Sequence, residues 1–234
     1  TLTINSGNFD GNFVVTDLNS EDVADKIKVN GGAFTDLENA IKYVQNGATI
    51  KLLKDASGNG ISVKGEAKRT FAIDFEGHTY KIVGPTLAGS TGTETQCFQF
   101  LKGSTITLKN GSIVADNTGL KMILQNYSNL TLENMTIDAT KGNNNVSYVM
   151  SNNCGNVKLQ GNTNITAKDG TKAFDVCWAP NKGYPEGTQV TVETTGTIKG
   201  DVEFDLWGTK SESAVLSTLT INSGNFDGNF VVTD

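Results

Sequence analysis

Hydrophobic and polar positions alternate in short two-sided strands that break at an Asn/Gly turn and then resume. The segments TLKNGSI (107–113), TLENMTI (131–137), KLQGNTNI (158–165), TVETTGTI (191–198) and TINSGNF (220–226) share this form, with an earlier version in AIDFEGHTY (72–80). Leu108, Leu132, Leu159, Val192 and Ile221 anchor them, at successive steps of 24, 27, 33 and 29 along the chain. A fixed turn with a variable return is the pattern of coils in a right-handed parallel β-helix. A sandwich would place strands roughly every 8–12 positions with hairpin signals, a schedule that the DG and NG pairs do not keep. The pattern therefore predicts an all-β chain, a right-handed parallel β-helix of about seven coils. Leu108, Leu132, Leu159, Ile113, Ile137, Ile165 and Ile198 are expected to point inward as aliphatic columns. With stacked strands ~4.8 Å apart, seven coils make a rod ~30 Å long. A shift of 27 superposes Asn126 on Asn153 and Asn129 on Asn156, which predicts ladders of stacked Asn side chains.

One helix interrupts the β pattern. Thr35-Asp36-Leu37-Glu38 reads as a capping box with Thr35 as the cap. Leu37, Ala40, Ile41 and Val44 then form one apolar stripe, and Asn46-Gly47 ends it. An amphipathic helix near 36–45 is expected to cover the N-terminal end of the β-stack.

A longer repeat overlies the coil rhythm. TLTINSGNFDGNFVVTD opens the chain as Thr1–Asp17 and returns unchanged as Thr218–Asp234, at an offset of 217. That is the period of a whole domain, as in tandem arrays that give reach and multivalent attachment. The chain is therefore expected to hold one full unit of such an array plus a short overhang. The two identical ends are expected to differ in environment, since only Thr218–Asp234 has a complete preceding coil. Residues 1–17 are expected to be poorly ordered or paired with a neighbouring molecule.

Composition narrows the class further. Glycine is abundant (26 of 234 residues) and proline scarce (3), which suits short strands joined by tight turns. The net charge of −6 argues against a nucleic-acid partner. No signal-like start and no run of membrane-spanning length occurs, so the reading is a mature soluble fragment whose signal and anchor lie outside it. Cys97, Cys154 and Cys177 are odd in number and widely spaced, which points to buried free thiols rather than a disulfide framework or zinc site.

The stretches AFTDLENAIKYVQNGATIKLLKD, FAIDFEGHTYKI, STGTETQCFQFLKGSTITLKNGSI and MILQNYSNLTLENMTID together carry a resemblance. Over roughly residues 33–228 the chain resembles the repeat domain of large tandem-repeat surface proteins of gut Firmicutes. The resemblance implies a pectate-lyase-like β-helix on the bacterial cell surface with an adhesin-like role. In such proteins the GNF-type segment ends a domain, so the resemblance also implies residues 1–27 as the tail of a preceding repeat plus linker, and 28–234 as a single module. It makes a host protein or glycan the implied partner, with immunoglobulin a candidate, alongside adjacent repeats of the same chain.

Many parallel β-helices cleave acidic polysaccharides, with a basic residue beside a carboxylate-held Ca²⁺, or with aspartates and a histidine. This chain has one arginine, Arg69, and one histidine, His78, and neither sits among clustered carboxylates in sequence or coil register. No catalytic residues, metal ligands or cofactor are therefore assigned. Asp175 and Asp205, from AFDVCW and EFDLW, are the best carboxylate pair, read as aligned on neighbouring coils and facing solvent.

The aromatic residues offer more. Trp178 and Trp207, the two tryptophans, have the same separation along the chain as Val190 and Leu219, so the indoles are expected at one angular position on successive coils. The intervening loop APNKGYPEG carries Tyr184. Trp178, Tyr184 and Trp207 are the candidate ligand-binding residues, a platform for a sugar ring or a protein hot spot. Burial of both indoles as a satellite core beneath that loop is the alternative. The sequence reading is thus a non-catalytic binding module, with a pure stalk or spacer repeat and a pectate-lyase-like carbohydrate-active enzyme as alternatives.

Overall fold

The computed structural model describes residues 2–9, 27–29, 33–65 and 68–233. Among them the fold is all-β, built from long parallel sheets. Seven strands form one sheet in the order Ile61–Val63, Gln96–Phe100, Met122–Asn126, Tyr148–Asn152, Lys172–Trp178, Asp201–Leu206 and Phe230–Thr233. A second sheet runs from Thr49–Lys51 through Thr70–Asp74, Thr105–Ala115, Asn129–Asp138, Gly155–Gly161 and Thr188–Lys199 to Thr218–Asp227. Each strand pairs in parallel with the equivalent strand one coil away. The one antiparallel contact among the described residues outside these ladders is the isolated bridge between Ala88 and Gln96.

Register converts the alternating pattern into columns. Ile50, Ile73, Leu108, Leu132, Leu159, Val192 and Ile221 stand in one row across the second sheet. Tyr80, Ile113, Ile137, Ile165, Ile198 and Phe226 form the next. In the seven-stranded sheet the row is Ile61, Phe98, Leu124, Met150, Phe174, Val202 and Phe230. Leu108, Leu132, Leu159, Ile113, Ile137, Ile165 and Ile198, the expected inward residues, are all fully buried. Each such side chain stabilises the fold by about 1.5–3 kcal/mol through removal from water.

A left-handed residue recurs at one corner of the coils. Asn110 and Asn134 have φ of 58° and 53°, and Gly161 follows at 63°. Asn tolerates this conformation because its side chain bonds locally. A Cβ on Gly161 would stand 2.3 Å from Asn134 Oδ1, so a side chain there would displace the Asn134 amide. The corner carries its own ladder. Asn110 Nδ2 donates to Asp74 (3.1 Å), Asn134 Nδ2 donates to Asn110 Oδ1 (3.2 Å), and the Asn162 N–H donates to Asn134 Oδ1 (2.9 Å).

Of the two expected Asn stacks, one forms. The Asn156 N–H donates to Asn129 Oδ1 at 2.9 Å. Asn126 pairs in register with Asn152 instead of Asn153, because these two strands align one position short of the expected shift and the extra residue falls in the following turn. Its Oδ1 accepts from Ser128 N–H and Oγ, closing a local turn.

The helix α1 spans Leu37–Tyr43, with Leu37 and Ile41 in the core and Val44 packed against it. Its cap is Asp36 rather than Thr35: Asp36 accepts from the Asn39 N–H at 2.7 Å. An ionised carboxylate is the stronger acceptor at a helix N-terminus. At the other end Arg69 Nη1 donates to the Ile41 and Lys42 carbonyls at 2.7 and 3.3 Å. The chain's single arginine thus closes the helix onto the coil beneath it.

The identical ends sit differently. Thr218–Asp227 stacks on Thr188–Lys199 as the last coil. Leu2–Ile4 pairs with Ile27–Val29, and Asn8–Phe9 with Ala33–Phe34, in the same chain. Residues 2–9 are therefore ordered against their own module, in place of the looseness or intermolecular pairing expected for the tail. Residues 10–26, most of the expected tail and linker, lie outside the described residues.

Candidate functional site

The loop after Trp178 is shaped by a single 3₁₀ turn, Pro180–Lys182, and two left-handed glycines, Gly183 (φ 94°) and Gly187 (φ 66°). This shape turns the chain back over the edge of earlier coils and sets Tyr184 between Tyr127 and Trp207. Ring centroids lie 5.1 Å and 6.3 Å from it. Two lysines flank the stack: Lys102 Nζ lies 5.6 Å from the Tyr184 ring, and Lys182 Nζ 5.6 Å from the Trp207 ring. Lys102 also pairs with Glu186 at 2.7 Å and donates to the Gly183 carbonyl at 3.2 Å, which ties the loop down. The Glu186 hydrogen bond holds the Lys102 ammonium above its ordinary pKa. Trp207 is left 43% exposed.

The two tryptophans do not share an angular position. Lys172 pairs with Asp201, but Phe174 pairs with Val202, so Ala173 is an extra residue in its strand. From there the alignment is one position shorter, and Trp178 stands beside Leu206. Because side chains alternate along a strand, a one-residue slip sends Trp207 to the opposite side from Trp178. Trp178 instead donates its indole N–H to the Val215 carbonyl at 2.9 Å. The structure thus brings Tyr184 and Trp207 together, adds Tyr127, and gives Trp178 a role in fixing the 209–217 segment.

Beside the stack is a cavity of about 250 Å³ lined by Lys102, Ser104, Tyr127, Cys154, Glu186 and Gln189, among others. Ser104 Oγ is buried and unpartnered. Cys154 donates its thiol to the Tyr127 carbonyl, and burial raises its pKa to about 12. All three cysteines are buried and free, and burial raises each thiol well above its ordinary pKa. Tyr127 and Lys102 carry no spacing signal in the sequence; loop closure alone recruits them.

The carboxylates differ from expectation as well. Asp175 pairs in register with Glu203, and Asp205 with Cys177: the strands run at a shift of 203 − 175 = 28, two short of the 205 − 175 = 30 that would align the aspartates, and the Ala173 bulge supplies one of those two positions. Asp175 is buried, not solvent-facing, and accepts from Ser151 Oγ (2.8 Å) and the Asn152 N–H. Burial, reinforced by Asp205, lifts its pKa well above the carboxylate range despite those donors. Burial also raises Asp205, against a thiol hydrogen bond from Cys177. Glu203 accepts from Tyr148 Oη at 2.5 Å, with Lys172 at 3.9 Å. Among the described residues no group of three or more His, Cys, Asp or Glu side chains is placed to hold a metal ion.

His78 Nδ1 lies 3.4 Å from Asp55 on the coil corner, apart from these carboxylates. Arg69 is occupied by the helix carbonyls. Among the described residues no helix is long and apolar enough to cross a membrane. No protein-family profile, curated protein or solved structure matches the chain at a significant level.

Proposed function

We propose that this chain is a non-catalytic binding module of a tandem-repeat bacterial surface protein, folded as a right-handed parallel β-helix of about seven coils. Its adhesin-like role is to hold a host protein or glycan at the corner built from Tyr127, Tyr184 and Trp207. The observation that supports this reading is the tied-down aromatic stack with a half-exposed indole and two ammonium groups beside it. Rigid aromatic faces supply contact area at little entropic cost, and a flanking cation adds attraction for acidic groups. Immunoglobulin remains a candidate protein partner through the family resemblance alone.

The test is a pull-down against mucin and serum proteins, run beside a polyuronate cleavage assay. Capture that disappears in Trp207→Ala and Tyr184→Ala supports the binding module. Cleavage of the polysaccharide would replace it with the enzymatic reading. Absence of both favours a stalk repeat, for which the unbroken apolar columns running the length of the sheets also speak.

A further inference from the structure

Among the described residues, the three apolar columns reach the coil of Thr218–Asp227 and Phe230–Thr233 with no further strand stacked on it. Ile221 ends the first and is 43% exposed, whereas its column neighbours from Leu108 to Val192 are fully buried. Phe230 ends the seven-stranded sheet's column and is 52% exposed, with Val232 beside it at 76%. Phe226 ends the remaining column, its ring 5.5 Å from that of Phe230. Among the described residues, Thr218–Asp227 pairs with one strand only, Thr188–Lys199. Solenoids need polar terminal caps for solubility, so a bare apolar last coil calls for a cover.

The same text earlier in the chain identifies that cover. Ile4 holds the place of Ile221 in the repeated stretch, and Ile4 is only 8% exposed. The segment that follows pairs with this strand: Leu2, Thr3 and Ile4 pair in parallel with Ile27, Lys28 and Val29. Asn8 and Phe9 pair with Ala33 and Phe34, the two phenylalanine rings 5.9 Å apart. Phe34 in turn stacks on Tyr43 of helix α1 at 6.2 Å. One copy of the text is therefore covered on its following side, and the other on its preceding side. Among the described residues neither copy shows both contacts.

We propose that the C-terminal coil of each unit is an interaction surface for residues 27–29 and 33–44 of a second copy, so that successive units fuse into one continuous solenoid. By the offset of 217, Leu219, Thr220 and Ile221 take as partners Ile27, Lys28 and Val29 of the second copy. Asn225 and Phe226 take Ala33 and Phe34 of the second copy. Helix α1 then sits inside the rod at every junction instead of at its end. The contact is heterologous and head-to-tail, which generates open chains rather than closed rings. In the chain as it stands, the N-terminal residues 2–9 occupy the acceptor edge of their own module and, being tethered, outcompete a second molecule. The inference does not depend on any ligand at the aromatic corner.

Two measurements test it. In analytical ultracentrifugation the chain should be monomeric. Ile4→Asp, which loosens the tethered strand, should give concentration-dependent elongated species, and adding Ile221→Asp to that variant should return it to a monomer. Release of residues 2–4 is followed by amide hydrogen exchange. A variant whose strand is released but which stays monomeric overturns the proposal. Independently, a two-unit chain, in which Asp234 continues into residue 18 of the next copy, is examined by small-angle X-ray scattering. A single straight rod twice as long supports the fused junction, and a hinged ensemble of two bodies overturns it.

Discussion

Asp175 stands beside Glu203 in register on adjacent strands, and both side chains are buried. Asp175 has a pKa raised well above its ordinary value, chiefly by burial, so the folded state holds its proton more tightly than the unfolded chain does. The stabilising effect is complete below the unfolded carboxylate pKa, near ~3.9, and is lost as pH rises through the folded value. Asp205, also raised, adds in the same direction. Asp74, Asp116, Glu193 and Asp201 have net lowered values and act oppositely, but in the window below about pH 4. Melting temperature should therefore decline as pH rises above that window, and Asp175→Asn should flatten this slope. An Asp175→Asn curve parallel to the parent's would show that Asp175 ionises freely in the fold.

At the aromatic corner, the alanine variants should separate contact from support. Trp207→Ala and Tyr184→Ala should each weaken binding of a captured partner by ~2 kcal/mol, about thirtyfold. Trp178→Ala should instead lower stability by about 1–3 kcal/mol, since the Val215 carbonyl loses its donor and packing is removed. Titration calorimetry beside thermal melts checks both. A Trp178→Ala variant that melts normally yet binds poorly would move the contact to that indole.

How far the sequence spoke depends on which physical signal was involved. The columns through Leu108 and Ile113 were legible because burial imposes period two on every coil, and each coil repeats it. The tryptophan alignment failed at the bulge of Ala173, which also supplies one of the two positions by which Asp175 and Asp205 miss each other. The spacing of Val190 and Leu219 holds on one sheet and says nothing about the other. Burial of Asp175 was illegible too, because AFDVCW shows the carboxylate's neighbours in sequence but not the Ser151 and Asn152 donors. Tyr127 and Lys102 joined the candidate site only because glycine-dependent turns fold the 179–187 loop back onto them.

Arg69→Ala should loosen helix α1 without disturbing the coils. The substitution removes donors from the last carbonyls of the helix and the cation over the Phe71 ring at 5.5 Å. The expected cost is about 1–2 kcal/mol. Faster amide exchange confined to residues 37–44 is the signature. Uniformly faster exchange would mean that the helix and coils open as one unit.

The Asn corner ladder invites the most discriminating substitution. Asn134 satisfies three conditions at once: it adopts φ of 53°, donates to Asn110, and accepts from the Asn162 N–H. Alanine there loses both bonds and keeps a Cβ in the left-handed region, which costs about 1–2 kcal/mol by itself. Glycine loses the same bonds but adopts the backbone freely. Asn134→Ala should therefore be less stable than Asn134→Gly by about 1 kcal/mol, and both should fall below the parent by about 1 kcal/mol or more. Denaturant melts of the three proteins measure this order directly. If glycine matches the parent, the side-chain ladder contributes nothing and the corner is held by backbone conformation alone. If alanine and glycine fall equally, the hydrogen bonds carry the whole effect and the left-handed strain is relieved by movement of the turn.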